Sequence, residues 1–154
     1  MIMAHVRQQV RGAVVTALTG LATTSSRVFA SRDARIKPAE MPALCVYTTS
    51  ESCRTTDKQG GQQRDIELVV EGHAAQAAEL DDKLDLIASE VETALFADWS
   101  LGGLAVGLVL DRTSIGLLAE DEHGRAIDPK IGLIRLTFTV TVLTIEGSPD
   151  MVAN

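Results

Sequence analysis

"IRLTFTVTV", residues 134–142, settles the class of fold. Ile134, Leu136, Phe138, Val140 and Val142 alternate strictly with Arg135, Thr137, Thr139 and Thr141. A period of two puts alternate side chains on opposite faces of a strand, so one face rests on a core and the other shows an arginine and threonines. The sequence leaves two readings of that polar face open. Threonine suits a solvated sheet surface, and it equally suits a contact between subunits, for which Arg135, Thr137, Thr139 and Thr141 are the candidate residues.

Other segments follow the same rule. "DIELVVEG" (65–72) sets Ile66, Leu68 and Val70 against Asp65, Glu67 and Glu71. "ALCVYTTS" (43–50) reads as a strand over Leu44–Ser50, "RVFAS" (27–31) as a short one, and a further strand lies within Ala105–Leu118. Pro38 and Pro42 exclude a helix from the connection over 32–42, and Pro42 holds Met41 extended. The period changes elsewhere. Leu80, Leu84, Ile87, Val91 and Leu95 repeat at helical spacing and predict a helix over 75–96, with Glu79, Asp82, Asp85, Glu90 and Glu92 on its wet face. Trp99 and "SLGG" end it. Val6, Val10, Ala13, Ala17 and Leu21, with Val14 and Leu18 widening the stripe, predict another helix over residues 3–20, stopped by Gly20.

Neighbouring strands with only two helices point to an α+β fold. The expected form is a mixed, largely antiparallel sheet of four to five strands with both helices packed on one face. At 154 residues the chain reads as one domain, 1–154, with a polar loop at 120–130 and a C-terminal tail at 146–154. It is long enough to bury a core, and with 3% aromatics that core consists of aliphatic side chains.

One segment does not fit the strand pattern. "RTTDKQGGQQR" comprises Arg54, Thr55, Thr56, Asp57, Lys58, Gln59, Gly60, Gly61, Gln62, Gln63 and Arg64, with no apolar side chain. Hairpin loops usually run two to five residues. The segment therefore reads as a flexible arm between two paired strands, available to a partner.

Composition excludes several functions. A net charge of −7 argues against a general nucleic-acid binder, whose affinity comes from cations on phosphates, and against an anionic membrane surface. Apolar runs such as "GGLAVGLVL" fall short of the roughly 20 residues a membrane span needs. The first residues carry His5, Arg7 and Arg11 with no signal-type apolar block, and the expectation is a protein of cytosolic origin. Cys45 and Cys53 are then expected to be reduced, and if both lie on one extended strand they stand too far apart to bridge.

Catalytic signals are absent. His5, His73 and His123 lack ligand-type spacing to each other or to a cysteine, so no metal site is expected. Glu120, Asp121, Glu122 and Asp128 crowd one loop without the alternating acids and distal glutamate of an EF-hand, and a solvated hairpin tip accounts for them. "KQGG" is not a phosphate cradle, and no nucleophile-elbow serine occurs. Neither a catalytic residue nor a cofactor is expected.

The order of segments resembles one family. "VRQQVRGAVVTALTGLATTSSRVFASR" leads to "MPALCVYTTSES", the polar arm and "RDIELVVEGHA"; then come "LDDKLDLIASEVETALFADWSLGGLAVGLVL" and "GLIRLTFTVTVLT". Over Val6–Thr144 this is similar to the tail terminator proteins of long-tailed bacteriophages, the group that includes minor tail protein U of lambda. The likeness rests on order and texture, and the helix ending in an Asp before "LGGLA" is its most specific piece.

The resemblance implies a mixed sheet with two helices on one side and no catalytic residues. It implies a homohexameric ring that caps the tail tube, stops its polymerisation and offers a head-joining surface. The implied partners are the major tail tube protein and the head–tail connector or neck protein, with DNA passing through the lumen unbound. The implied location is the virion, assembled in the host cytoplasm; similar proteins occur in gene transfer agents. In that setting the arm 54–64 is the candidate partner contact. Two other readings stand beside this one: a neck or tail-completion component of the same particle, and an unrelated ligand-binding or enzymatic α+β domain. A ring would favour the first two, and a deep apolar pocket with convergent polar groups would favour the last.

Overall fold

The computed structural model describes residues 3–30, 36–76 and 78–153. Helix α1 is Val6–Leu18 and the short strand β1 is Val28–Phe29. Strands β2 (Ala43–Thr55) and β3 (Gly61–Ala75) follow, then helix α2 (Leu80–Ala97). Strands β4 (Gly107–Glu120), β5 (Ala126–Ile145) and β6 (Ser148–Val152) complete the chain. The architecture is α+β, with two helices and one mostly antiparallel sheet in the order β1-β2-β3-β5-β4, and β6 added to β5. Among the described residues only β1 and β2 run parallel.

The strand that decides the fold class forms the middle of this sheet. β5 pairs with β3 from Gly61↔Ile145 to Ala75↔Ile131 and with β4 along its other side. Register places Leu68 beside Phe138 and Val70 beside Leu136, so the apolar sets of β3 and β5 share one face. Onto that face α1 brings Val6, Val10, Val14 and Leu18, and α2 brings Leu84, Ile87, Val91 and Leu95, all buried. Burial of each large aliphatic side chain stabilises the fold by roughly 1.5–3 kcal/mol, and this cluster holds the layers together. Two glycines set how closely α2 lies on the sheet. A Cβ at Gly72 would stand 2.7 Å from Ile87 Cγ2, and one at Gly132 would stand 2.9 Å from Leu84 Cδ1.

The structure corrects several boundaries. The arm at 54–64 is not a flexible excursion: β2 and β3 continue into it, with Arg54↔Gln63 and Thr55↔Gln62 paired, and only residues 56–60 form the turn. Strand pairing needs backbone partners and not apolar alternation. A third strand supplies further ones, because Gly61, Gln62 and Gln63 also pair with β5. The polar loop 120–130 likewise shrinks to residues 121–125, with Glu120 and Ala126 paired. The tail 146–154 turns at Gly147 (φ +81°) and returns as β6, which raises the strand count to six. Helix α2 starts at Leu80 and not at residue 75, because His73–Ala75 belong to β3 and Glu79 is left-handed (φ +56°).

Of the connection over 32–42, residues 32–35 lie outside the described residues, and Pro38–Glu40 forms a single 3₁₀ turn. Met41 is extended (φ −90°, ψ 151°), as expected before Pro42. Cys45 and Cys53 share β2; the first is buried, the second exposed, and no disulfide joins them.

Candidate functional site

Three surfaces are candidates for function, and the arm is the first. Asp57 organises its turn by accepting from the backbone N–H of Gln59 (2.8 Å) and of Gly61 (2.9 Å). Gly60 adopts φ +90°, and its carbonyl accepts from the N–H of Glu146 at 2.8 Å. A side chain at Gly61 has no room, since its Cβ would lie 2.2 Å from Asp57 Oδ2. At the root, Arg64 points inward. Its Nε donates to Thr144 Oγ1 (3.0 Å), Nη2 to Gln62 Oε1 (3.0 Å) and Nη1 to Glu51 Oε1 (2.7 Å). The same Glu51 oxygen accepts from Arg7 Nη1 of α1 at 2.5 Å, which ties arm and helix together. Arg54 Nη2 donates to Gln63 Oε1 at 2.8 Å, and Gln63 Nε2 donates to Asp65. Arg54, Thr55, Thr56, Asp57, Lys58 and Gln59 remain exposed, whereas Arg64 and Gly61 are buried and Gly60, Gln62 and Gln63 half-buried.

The second surface is the sheet face opposite the helices. Its threonines already have work within the subunit. Thr139 Oγ1 donates to Asp111 Oδ2 (2.5 Å), Thr141 Oγ1 donates to Asp65 Oδ1 (2.7 Å), and Thr137 is 4% exposed. Arg135 is exposed, yet its guanidinium donates to Glu71 Oε1 from Nη2 at 3.1 Å and Nε at 3.3 Å. The Tyr47 hydroxyl also donates to Glu71, and His73 Nε2 lies 3.5 Å from its other oxygen. The hydrogen bond from His73, then those from Tyr47 and Arg135, outweigh burial and hold the Glu71 carboxyl down to about 2. Burial first, then the Glu71 carboxylate, pushes the Tyr47 phenol up to about 12.

Sequence reasoning named Arg135 and the threonines but missed Tyr47, Glu71 and His73 as their neighbours. A signal was present, since Glu71 is one of the acids on the polar face of β3 and Arg135 occupies the polar face of the next strand. Opposite charges on adjacent strands pair when in register, and these are in register.

The third surface is β4. Residues 111–118 are all exposed, including Ile115 (52%), Leu117 (57%) and Leu118 (52%). A strand of a sheet normally buries one face, and this stretch buries neither. The helices do not cover it: α2 packs on β3 and β5, and α1 on β1, β2 and β6. β4 is also the last strand in the order, so its outer edge carries no strand among the described residues. An apolar hollow between Gly116–Leu118 and Ile131–Leu133 lies open on this hairpin.

Among the described residues no group of three or more His, Cys, Asp or Glu side chains is placed to hold a metal ion. The acidic tip is a turn device, in which Asp121 accepts from the N–H groups of His123 and Arg125, both at 2.9 Å, and from Arg125 Nε at 3.1 Å. Among the described residues no helix is long and apolar enough to cross a membrane.

The family profile described as phage minor tail protein U matches residues 5–108, from α1 to the start of β4. The chain belongs to the phage minor tail protein U family. Its role is therefore structural and lies in a phage tail. The rest of β4, with β5 and β6, falls beyond the matched residues. No curated protein matches the sequence. A chain of a solved particle described as "Virion of native gene transfer agent (GTA) particle" is similar in structure, at 20% identity and a TM-score of 0.44, covering 91% of this chain and 92% of that one.

Proposed function

We propose that this tail protein is a terminator: a ring of identical subunits, six in number, that caps the tail tube, stops its polymerisation and receives the head–tail connector. Its partners in this reading are a second copy of itself, the major tail tube protein and the neck protein, within a virion assembled in the host cytoplasm. The observation that carries the reading is the unfinished sheet. Eight consecutive exposed residues, 111–118, end it with an apolar edge that a soluble monomer would ordinarily guard. Family membership supplies the tail, and the open edge supplies a reason to assemble.

The remaining surfaces then take roles suited to their chemistry. The turn at Thr56–Gly60, with Arg54 and Lys58 beside it, is the contact to tube or neck. It is ordered before the partner arrives, because Asp57 caps it and the Gly60 carbonyl accepts from the Glu146 N–H. Little ordering entropy, about 1–2 kcal/mol per residue in a disordered arm, remains to be lost on docking. The open face, with Arg135, Thr139 and Thr141 accessible and Thr137 buried, is a polar wall turned to a neighbouring component. A net charge of −7 repels phosphate, so DNA passes through the lumen without adhering.

Electron microscopy of the purified protein across a concentration series, and of tails from a strain lacking it, tests this. Closed rings, together with overlong tubes in the deletion strain that wild-type protein corrects, are expected. A strict monomer both in solution and in particles would sink the reading.

A further inference from the structure

The exposed strand β4 needs an occupant, and the charge on the rest of the molecule names one. Thr113–Leu118, "TSIGLL", carries no charge, proline or bulge. Edges are usually guarded by such features, and here the two irregularities flank the strip, at Asp111 and at Ala119. Around this neutral strip acids outnumber bases, with Arg112 just before it and Arg125 at its hairpin tip as the exposed cations nearest to it. Exposed Glu120 and Glu122 stand at the tip of its hairpin. Helix α2, on the β5 side of the layer, carries Asp81, Asp82, Asp85, Glu90 and Glu92 against Lys83 alone.

The opposite flank is the reverse. Helix α1, which packs on β2, carries Arg7 and Arg11 and no acid. Exposed Arg54 lies on β2 itself, which also carries the half-buried Glu51 paired with Arg7. That flank also has an open edge, because β1 pairs only with Leu44 and Cys45, leaving Ser50–Thr55 with no outer strand among the described residues.

Opposite charge on opposite flanks of one sheet decides the geometry of self-association. A twofold contact through β4 would set acid against acid. Joining the β4 flank of one copy to the α1–β2 flank of the next sets acid against arginine and covers Ile115, Leu117 and Leu118. We infer that the exposed β4 segment Thr113–Leu118 is the docking surface for the α1–β2 flank of a second copy, in a head-to-tail contact. Such heterologous contacts form a ring where the rotation between copies closes. The inference rests on the ring reading above and adds which surfaces meet.

Leu117→Glu puts a charge into the contact, and Arg11→Glu reverses the opposing flank. Leu86→Glu places the same charge on an equally exposed apolar site of α2 (50% exposed) and serves as the control. Sedimentation of the full chain should show wild type and Leu86→Glu assembling, while Leu117→Glu and Arg11→Glu shift to monomer, with half-assembly concentrations raised about tenfold or more. Unchanged far-UV circular dichroism confirms folding, and the milder Leu117→Thr replaces any variant that fails to fold. Equal mixing of Leu117→Glu with Arg11→Glu is the decisive step. Each retains one intact flank, so the mixture should form dimers that neither variant forms alone. Rings that persist in Leu117→Glu overturn this contact and leave the ring reading standing. Loss of assembly in both variants without dimers on mixing also overturns head-to-tail pairing. A wild type that is monomeric in solution and in particles overturns both.

Discussion

The two long hairpins of this sheet invert what their compositions suggest. The β2–β3 hairpin tip is polar throughout and reads as a loose, partner-seeking arm, yet its backbone groups pair with each other and with β5. Asp57 caps its turn, and Arg64 with Glu51 pins its root to α1. The β4–β5 hairpin contains Ile115, Leu117 and Leu118 and reads as ordinary sheet, yet among the described residues nothing buries these three side chains. Polarity therefore does not measure disorder, and apolar alternation does not measure burial. The number of neighbouring strands and the reach of the helices decide both.

The largest expected effect on the subunit lies at the root of the arm. Arg64→Ala removes a buried arginine, strips the half-buried Glu51 carboxylate of one of its two arginines and leaves Thr144 Oγ1 without its donor. A loss of about 3 kcal/mol in chemical denaturation is expected, the scale of breaking a buried ion pair by removing one partner. A loss below about 0.5 kcal/mol would mean that the arm does not depend on this anchor.

The close approach of α2 gives the next effect. Gly132→Ala forces a methyl against Leu80 and Leu84, and overpacking of this kind costs about 1–3 kcal/mol. Thermal melts should show it as a clear fall, whereas Gly116→Ala, whose added methyl meets nothing within 4 Å on the exposed hairpin, should be far milder.

Acid should act on the open face through Glu71. Its carboxyl titrates near 4.5 when unfolded and at about 2 in the fold, so its contribution is fully present above the unfolded value and is lost as pH falls from about 4.5 to about 2. Glu71→Gln should therefore lower stability at neutral pH by about 1–2 kcal/mol and flatten the acid limb of Tm against pH. An acid limb identical to wild type would assign that pH dependence elsewhere.

The smallest effect sharpens the comparison most. Leu117→Glu should leave the stability of the monomer within about 0.5 kcal/mol, as expected for an exposed site, while it abolishes assembly. A destabilised monomer would show that Leu117 supports its own subunit.

Much of this was legible in the sequence. Alternation at 134–142 and 65–72 located the two central strands, and the helical repeats located both helices; on α2 they gave the buried face, whereas on α1 that face runs through Val14 and Leu18 and leaves Ala17 exposed. The same rule misread polar strands. Gly61–Arg64 and Ser148–Val152 lack alternation and are held by backbone pairing, which leaves no apolar pattern to read. In the candidate site, Arg135 and the threonines fell on the expected face, but their hydroxyl partners depend on register with β3 and β4. The exposure of Leu117 was invisible too, because it depends on where α2 does not reach.

Hydrogen exchange on the free and the assembled protein tests the central claim most directly. In the free subunit the outward-facing amides of residues 113–118 should exchange fast, while those paired at the arm, Arg54–Thr55 and Gln62–Gln63, exchange slowly. On assembly, protection should appear at 113–118 and along the α1–β2 flank. Assembly that leaves 113–118 as fast as in the free subunit, with new protection confined to Arg135, Thr137, Thr139 and Thr141, would contradict the account and return the contact to the threonine face.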